Sequence, residues 1–126
     1  MNAAEISTVL ATAIAQGGGD TAFGMPGGGN NLDFIGAVEA VGMRFVLAHA
    51  ETPAAIMASV YADLTDRPTA CVITRGPGAA SAVNGVANAM LDRQPVIIVA
   101  DAVDSAAYPR IAHQRFDQLT LFAPIV

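Results

Sequence analysis

The chain has 126 residues, of which 53% are hydrophobic, and its six basic and eleven acidic residues give a net charge of −5 at pH 7. This length supports one modest domain with its own core, and this hydrophobic content excludes a disordered chain. The acidic balance argues against a nucleic-acid partner, which needs a basic face. No apolar run approaches the length of a membrane span, so no membrane partner is expected.

The first half of the chain is predicted to alternate helices with strands. A helix begins after Asn2, which has capping-box spacing with Glu5, and it ends at Gly17–Gly19. The apolar face of this helix is expected to consist of Ile6, Val9, Leu10, Ala13 and Ile14. The elements predicted next are a strand over 21–25, a helix over 32–42 capped by Asn30 or Asn31, and a strand over 43–48.

The second half continues the same alternation. The predicted elements are a helix from Thr52 and Pro53 to about Thr65, a strand over 69–74, a helix over 79–92, a strand over 95–100 and a short helix near 113–121. The strands "TACVIT" and "PVIIVA" are continuously apolar, which is typical of strands covered on both faces. Successive β–α–β units imply right-handed crossovers and a parallel sheet. The sequence therefore predicts one doubly wound α/β domain over residues 1–126, with helices on both faces of the sheet.

In such folds, ligands bind beyond the carboxyl ends of the strands. The residues predicted to lie there are Pro26–Asn31, His49–Glu51, Thr74–Gly78 and the segment from Asp101 onward.

The single cysteine, Cys71, excludes an internal disulfide and is interpreted as a small core residue. Two His without a neighbouring ligand set give no metal site, and an N-terminus without a basic start predicts a cytoplasmic protein.

Glu51 has two open interpretations. It stands where a strand-like run turns into a helix-like one, flanked by apolar residues. A carboxylate at a helix N-terminus is commonly just stabilised by the helix dipole. The alternative is a shielded acid that exchanges a proton with a bound heterocycle.

The segment "GPGAAS" (76–81) also has more than one interpretation. It follows a strand and opens a helix, as a dinucleotide-binding loop does, and Asp101 lies after the next strand, where a ribose-binding acid would stand. Ser81 replaces the third glycine of that pattern, and Pro77 removes one loop N–H. A Rossmann-like module using Gly76, Gly78 and Asp101 therefore stays open beside a simple tight turn.

Four segments in this order resemble a known family: "FGMPGGGNNLDF", "LAHAETPAAIMASVYADLTDRP", "VITRGPGAASAVNGVANAMLDRQPVIIVADA" and "HQRFDQLTLFAPIV". They are similar to the pyrimidine-binding (PYR) domain of thiamine-diphosphate enzymes, in particular the group of acetolactate synthase, pyruvate oxidase and benzoylformate decarboxylase. The resemblance covers nearly the whole chain, although that domain usually extends beyond "LFAPIV". It implies a doubly wound α/β fold and action on 2-oxo acids, by decarboxylation or by acetolactate synthase-like carboligation.

The resemblance also implies roles for individual residues. Glu51 matches the glutamate that contacts N1′ of the aminopyrimidine and activates the cofactor. His113 and Gln114 match a segment that faces the substrate, in which Arg115 stands where the family often has Glu. The residues implied to bind the cofactor with Glu51 are Pro26, Gly27, Thr74, Gly76, Pro77, Gly78 and Asn84.

The family holds the diphosphate through Mg²⁺ in a second (PP) domain, whose signature is G-D-G followed by Asn-Asn. This chain has "GGGD" (17–20) and "NN" (30–31), but no G-D-G and too short a spacing. The resemblance therefore implies that thiamine diphosphate is shared with a partner PP domain, that Mg²⁺ is bound by that partner, and that the protein is a homo- or hetero-oligomer. A non-catalytic assembly domain, using the Ala-rich helices for close packing, is a further alternative.

Overall fold

The structure is a computed structural model and describes residues 2–115 and 117–126. Its elements, in chain order, are α1 (Ala3–Gln16), β1 (Thr21–Met25), α2 (Asn30–Ala40), β2 (Arg44–Leu47), α3 (Glu51–Thr65), β3 (Thr69–Ile73), α4 (Pro77–Leu91), β4 (Val96–Ala100), a 3-10 turn (Ser105–Ala107) and α5 (Gln118–Phe122). Among these helices, none is both long and apolar enough to cross a membrane.

The four strands form one parallel sheet in the order β2-β1-β3-β4. Phe23 of β1 lies between Val46 of β2 and Cys71 of β3, and Cys71 in turn lies opposite Ile98 of β4. The winding direction changes between β1 and β3, so the loops that leave these two strands diverge and open a crevice at their carboxyl ends. The predicted doubly wound α/β fold is confirmed.

The sheet separates two hydrophobic cores. Phe23, Cys71 and Ile73 project to one face, where they pack against α3 and α4. Ala22, Ala70 and Val72 project to the other face, where they pack against α1 and α2. This alternation follows from the two-residue period of a strand, and it explains why β3 is buried along its whole length.

Three predictions about these elements are corrected by the structure. In α1 the buried residues are Ser7, Ala11 and Ile14, whereas Val9 is 56% exposed; Ile6, Leu10 and Ala13 are exposed as well. Of the five residues predicted for the apolar face, Ile14 alone is buried, beside the small side chains of Ser7 and Ala11. Helix α2 begins at Asn30 after Gly29, with no side-chain cap. Strand β4 is only partly covered: Val96, Ile98 and Ala100 pack against one core and Val99 against the other, whereas Ile97 is 39% exposed.

Helices α3 and α4 are in very close contact at Gly85. A Cβ at this position would lie 2.6 Å from the Cβ of Ala55 and 2.8 Å from the carbonyl oxygen of Thr52. Helix-interior glycine is normally unfavourable by about 0.5–1 kcal/mol relative to Ala, so its presence here is explained by the short distance between the helices.

We expect Gly85→Ala to destabilise the protein, because overpacking of about 1–3 kcal/mol exceeds the gain in helix propensity. The matched control is Gly36→Ala on α2, where a Cβ would meet no described heavy atom within 4 Å. Urea unfolding should give a lower midpoint for the first variant and an unchanged or higher one for the second. A Gly85→Ala protein as stable as Gly36→Ala would contradict the close packing of α3 on α4.

Candidate active site

The candidate site lies at the carboxyl ends of β1 and β3, next to the start of α3. After β2 ends, the N–H of Ala48 still donates to the carbonyl of Gly24 at 2.8 Å, which keeps the chain beside β1. Ala50 is extended, and its carbonyl accepts the first hydrogen bond of α3 from Ala54 at 3.1 Å. Glu51, the first residue of α3, therefore lies beside the crevice at the carboxyl ends of β1 and β3.

The side chain of Glu51 points at the "GPG" loop. Its Oε1 lies 3.0 Å from the position that a Cβ at Gly78 would occupy. The residue is partly buried, and with residues 2–115 and 117–126 it forms no hydrogen bond or ion pair. A carboxylate held in a partly dry place without a partner is available to a ligand.

Gly27, Thr74 and Gly78 form what we call the glycine cradle. Thr74 lies between the two glycines: a Cβ at Gly27 would be 2.6 Å from the Cβ of Thr74, and a Cβ at Gly78 would be 2.5 Å from its Cγ2. Any other residue at either glycine would push the loops apart. The absence of side chains at Gly27 and Gly78 therefore leaves the room that Thr74 occupies, and it lets Gly78 lie close to the carboxylate of Glu51.

Asn31 fixes the loop that carries Gly27. The residue is 2% exposed, although it stands in a glycine-rich stretch. In the amide orientation that satisfies both of its ends, Asn31 donates to the carbonyl of Ile73 at 3.1 Å and accepts from the N–H of Gly27 at 3.3 Å. This orientation is preferred to the opposite one, which offers only a long contact of 3.4 Å to Asp101. Asn31 thus ties the β1–α2 loop to the end of β3.

Cys71 lies in the middle of β3 and is buried, as predicted. Burial, followed by the charge of the nearby Glu51 carboxylate, raises the pKa of the Cys71 thiol to about 12. The thiol therefore stays protonated and unreactive at neutral pH.

The "GPG" loop is fixed on its other side by the segment that precedes α5. Gly76 has φ +69°, and a Cβ there would lie 2.7 Å from the Cα of Gln114. The N–H of Gly76 donates to Oε1 of Gln118 at 2.8 Å, and α4 begins at Pro77. Gly76 is thus required both by its backbone conformation and by the chain packed against it.

Asp101 is engaged by its own chain. Its carboxyl is almost completely buried and accepts the backbone N–H of Arg75 at 2.8 Å, while the Arg75 guanidinium lies 3.8 Å away. A ribose-binding acid has to face a ligand, whereas this carboxylate holds the β3–α4 loop. The geometry therefore argues against the dinucleotide-binding alternative.

Other predicted residues lie outside the cradle. Pro26 stands at its rim, next to Gly27, whereas Asn84 is exposed on α4, one turn beyond Ser81. His113 is exposed, and Gln114 is partly buried, with its side-chain oxygen 3.4 Å from Nε of Arg75. Within the part of the chain that the structure describes, no three His, Cys, Asp or Glu side chains cluster as metal ligands would.

A family model and individual relatives indicate the same family for this chain. The family described as "Thiamine pyrophosphate enzyme, N-terminal TPP binding domain" matches residues 4–121. A probable 2-ketoarginine decarboxylase of Pseudomonas aeruginosa is 30% identical over 119 residues, which is 92% of this chain and 21% of that protein. An acetolactate synthase large subunit of Buchnera aphidicola subsp. Schizaphis graminum is 35% identical, and the acetolactate synthase of Bacillus subtilis 34%; in both cases 82% of this chain matches 18% of the relative. The chain thus spans about a fifth of the length of these relatives.

Proposed function

Because the chain belongs to the family of N-terminal TPP-binding domains of thiamine pyrophosphate enzymes, we propose that it binds the pyrimidine half of thiamine diphosphate and activates this cofactor through Glu51. The whole enzyme acts on a 2-oxo acid, by decarboxylation or carboligation. One observation carries this proposal: a partly buried carboxylate, without a hydrogen-bond or ion-pair partner among the described residues, faces Gly78.

The residues of the crevice fit a flat heterocycle. Gly27 and Gly78 have no side chains and pack against Thr74, so we expect the backbone of these two loops to lie close to a planar ring bound beside Glu51. The apolar residues Ala48 and Ala54, three positions before and after Glu51, are both buried. The proposed cofactor-binding residues are Pro26, Gly27, Glu51, Thr74, Gly76, Pro77, Gly78 and, at the outer edge, Asn84.

Glu51 is the proposed catalytic residue. Its carboxyl would share a proton with the ring nitrogen N1′ of the aminopyrimidine, which requires an acid that is shielded from water and not already neutralised by a cation. The structure gives Glu51 no such cation among the residues described. When bound, the cofactor supplies an electron sink for the decarboxylation of the 2-oxo acid.

The remaining parts of the active site are proposed to lie outside this chain. Since the chain matches about a fifth of its relatives, we propose that a PP-type domain or subunit binds the diphosphate and Mg²⁺, and that the two assemble as an oligomer. His113 and Gln114, which precede α5 beside the "GPG" loop, are proposed to face the substrate.

Reconstitution from separate components tests whether this chain and a PP-type domain form the active site together. The protein is mixed with the PP-type domain of an acetolactate synthase, thiamine diphosphate and Mg²⁺, and CO₂ release is measured with pyruvate and with 2-ketoarginine. We expect CO₂ release from at least one of the two 2-oxo acids, and only when both protein components and the cofactor are present. CO₂ release by the chain without a PP-type domain, or no release from either 2-oxo acid in the complete mixture, would contradict the proposal.

A further inference from the structure

Gln118 links three parts of the chain through one side-chain amide. Its oxygen accepts the N–H of Gly76 at 2.8 Å, and its nitrogen donates to the carbonyl of Asp101 at 3.0 Å. The first partner belongs to the loop before α4, and the second follows β4. Because donor and acceptor are both satisfied in this orientation, the amide has one geometry that fits.

The direction of the Gln118 side chain is itself fixed. Asp117 caps α5 by accepting the N–H of Thr120 at 3.0 Å and its hydroxyl at 2.6 Å. At the other end of α5, Phe122 is 8% exposed and belongs to the core formed with α3 and α4. The five residues of α5 are therefore held at both ends, and Gln118 is held in place against the loop.

Gly76 connects the hydrogen bond of Gln118 to the candidate active site. Its carbonyl accepts the N–H of Ala80 at 3.0 Å, in the first turn of α4, whereas its own N–H points away from the helix to Gln118. The next glycine of the loop, Gly78, faces Oε1 of Glu51 at 3.0 Å from the position of a Cβ. A displacement of Gly76 thus shifts the first turn of α4 relative to Glu51.

We propose that Gln118 is a positioning residue, whose amide oxygen fixes Gly76 and thereby places Gly78 opposite the carboxylate of Glu51. The consequence for catalysis rests on the proposed function, whereas the consequence for the loop does not. The amide oxygen of Gln118 is the atom that holds Gly76, since the N–H of Gly76 has no other hydrogen-bond acceptor among the described residues.

The test compares Gln118→Ala, Gln118→Glu and the control Gln94→Ala. Gln94 also uses its side-chain amide to bridge, at 2.8 Å to Asp63 and 3.3 Å to the carbonyl of Asp92, but it lies just before β4, at the opposite end of the sheet. Without cofactor or substrate, amide exchange of Gly76 measured by NMR should be about tenfold faster in Gln118→Ala, the scale of one lost hydrogen bond. It should be unchanged in Gln94→Ala and close to normal in Gln118→Glu, which keeps the acceptor.

In the enzyme assembled with its PP-type domain, kcat should follow the same order. We expect a decrease of about tenfold for Gln118→Ala and a smaller one for Gln118→Glu, both measured well below the melting temperature of each variant. A purely structural role would instead leave kcat of the folded variants unchanged and leave Glu without any advantage over Ala.

Two results would overturn the inference: normal exchange of Gly76 in Gln118→Ala, or equally fast exchange in the Ala and Glu variants. Failure of the proposed function would look different. In that case Glu51→Gln would keep full activity, while the exchange of Gly76 would still decide whether Gln118 holds the loop.

Discussion

Replacing Glu51 by Gln should lower kcat of the assembled enzyme by about 10²–10⁴-fold, the usual contribution of general acid–base catalysis. Glutamine keeps the size of the side chain but has no exchangeable proton of the required acidity. Because Glu51 forms no hydrogen bond or ion pair with the described residues, the substitution should leave the melting temperature nearly unchanged. The measurement is steady-state CO₂ release at saturating cofactor, so that weaker binding is separated from slower chemistry.

The matched control is Glu39→Gln, which makes the same chemical change on the exposed side of α2. It should keep wild-type kcat. Full turnover by Glu51→Gln would remove the assigned role, and so would an equal loss in both variants, because that loss would come from the change in charge and not from the site.

The fold was predictable because its signals are local. The continuous apolar runs of β3 and β4, the helices between them and the capping box of Asn2 and Glu5 are visible within short windows of sequence, and the structure has all of them. The positions of Glu51 and Gly78 then follow from topology, since the carboxyl ends of parallel strands meet at one edge. Their mutual orientation, with Oε1 directed at Gly78, depends on the packing of two loops that are distant in sequence.

Other features depend on partners that are distant in sequence. The hydrogen bond between Gly76 and Gln118 joins residues 42 positions apart, and no local pattern marks Gln118. The sequence predicts Asn31 as a possible helix cap, whereas in the structure it is a buried bridge between Gly27 and the carbonyl of Ile73. The predicted apolar face of α1 is correct only at Ile14 for a similar reason: which side of α1 is buried depends on α2 and the sheet, which are distant in sequence.

The substitution Gly78→Ala should impair both stability and turnover, because the new methyl group has no free space. It would lie 2.5 Å from Cγ2 of Thr74 and 3.0 Å from Oε1 of Glu51. Thr74 has little freedom to move, since Gly27 packs against its other side. We expect a loss of about 1–3 kcal/mol in the free energy of unfolding. We also expect a decrease in kcat of about 10²-fold, as is typical for a displacement of about 1 Å at a reacting group.

A double variant separates these two effects. Thr74→Ser removes Cγ2, the atom nearest to the new methyl group, but leaves the contact with Glu51. Gly78→Ala combined with Thr74→Ser should therefore regain much of the lost stability in urea unfolding, while kcat stays well below that of Thr74→Ser alone, since the carboxylate is still displaced. Gly36→Ala, on the outer surface of α2, should retain normal kcat and stability. If the double variant regained stability and turnover together, Gly78 would matter only for packing, and the carboxylate of Glu51 would not need the bare backbone in front of it.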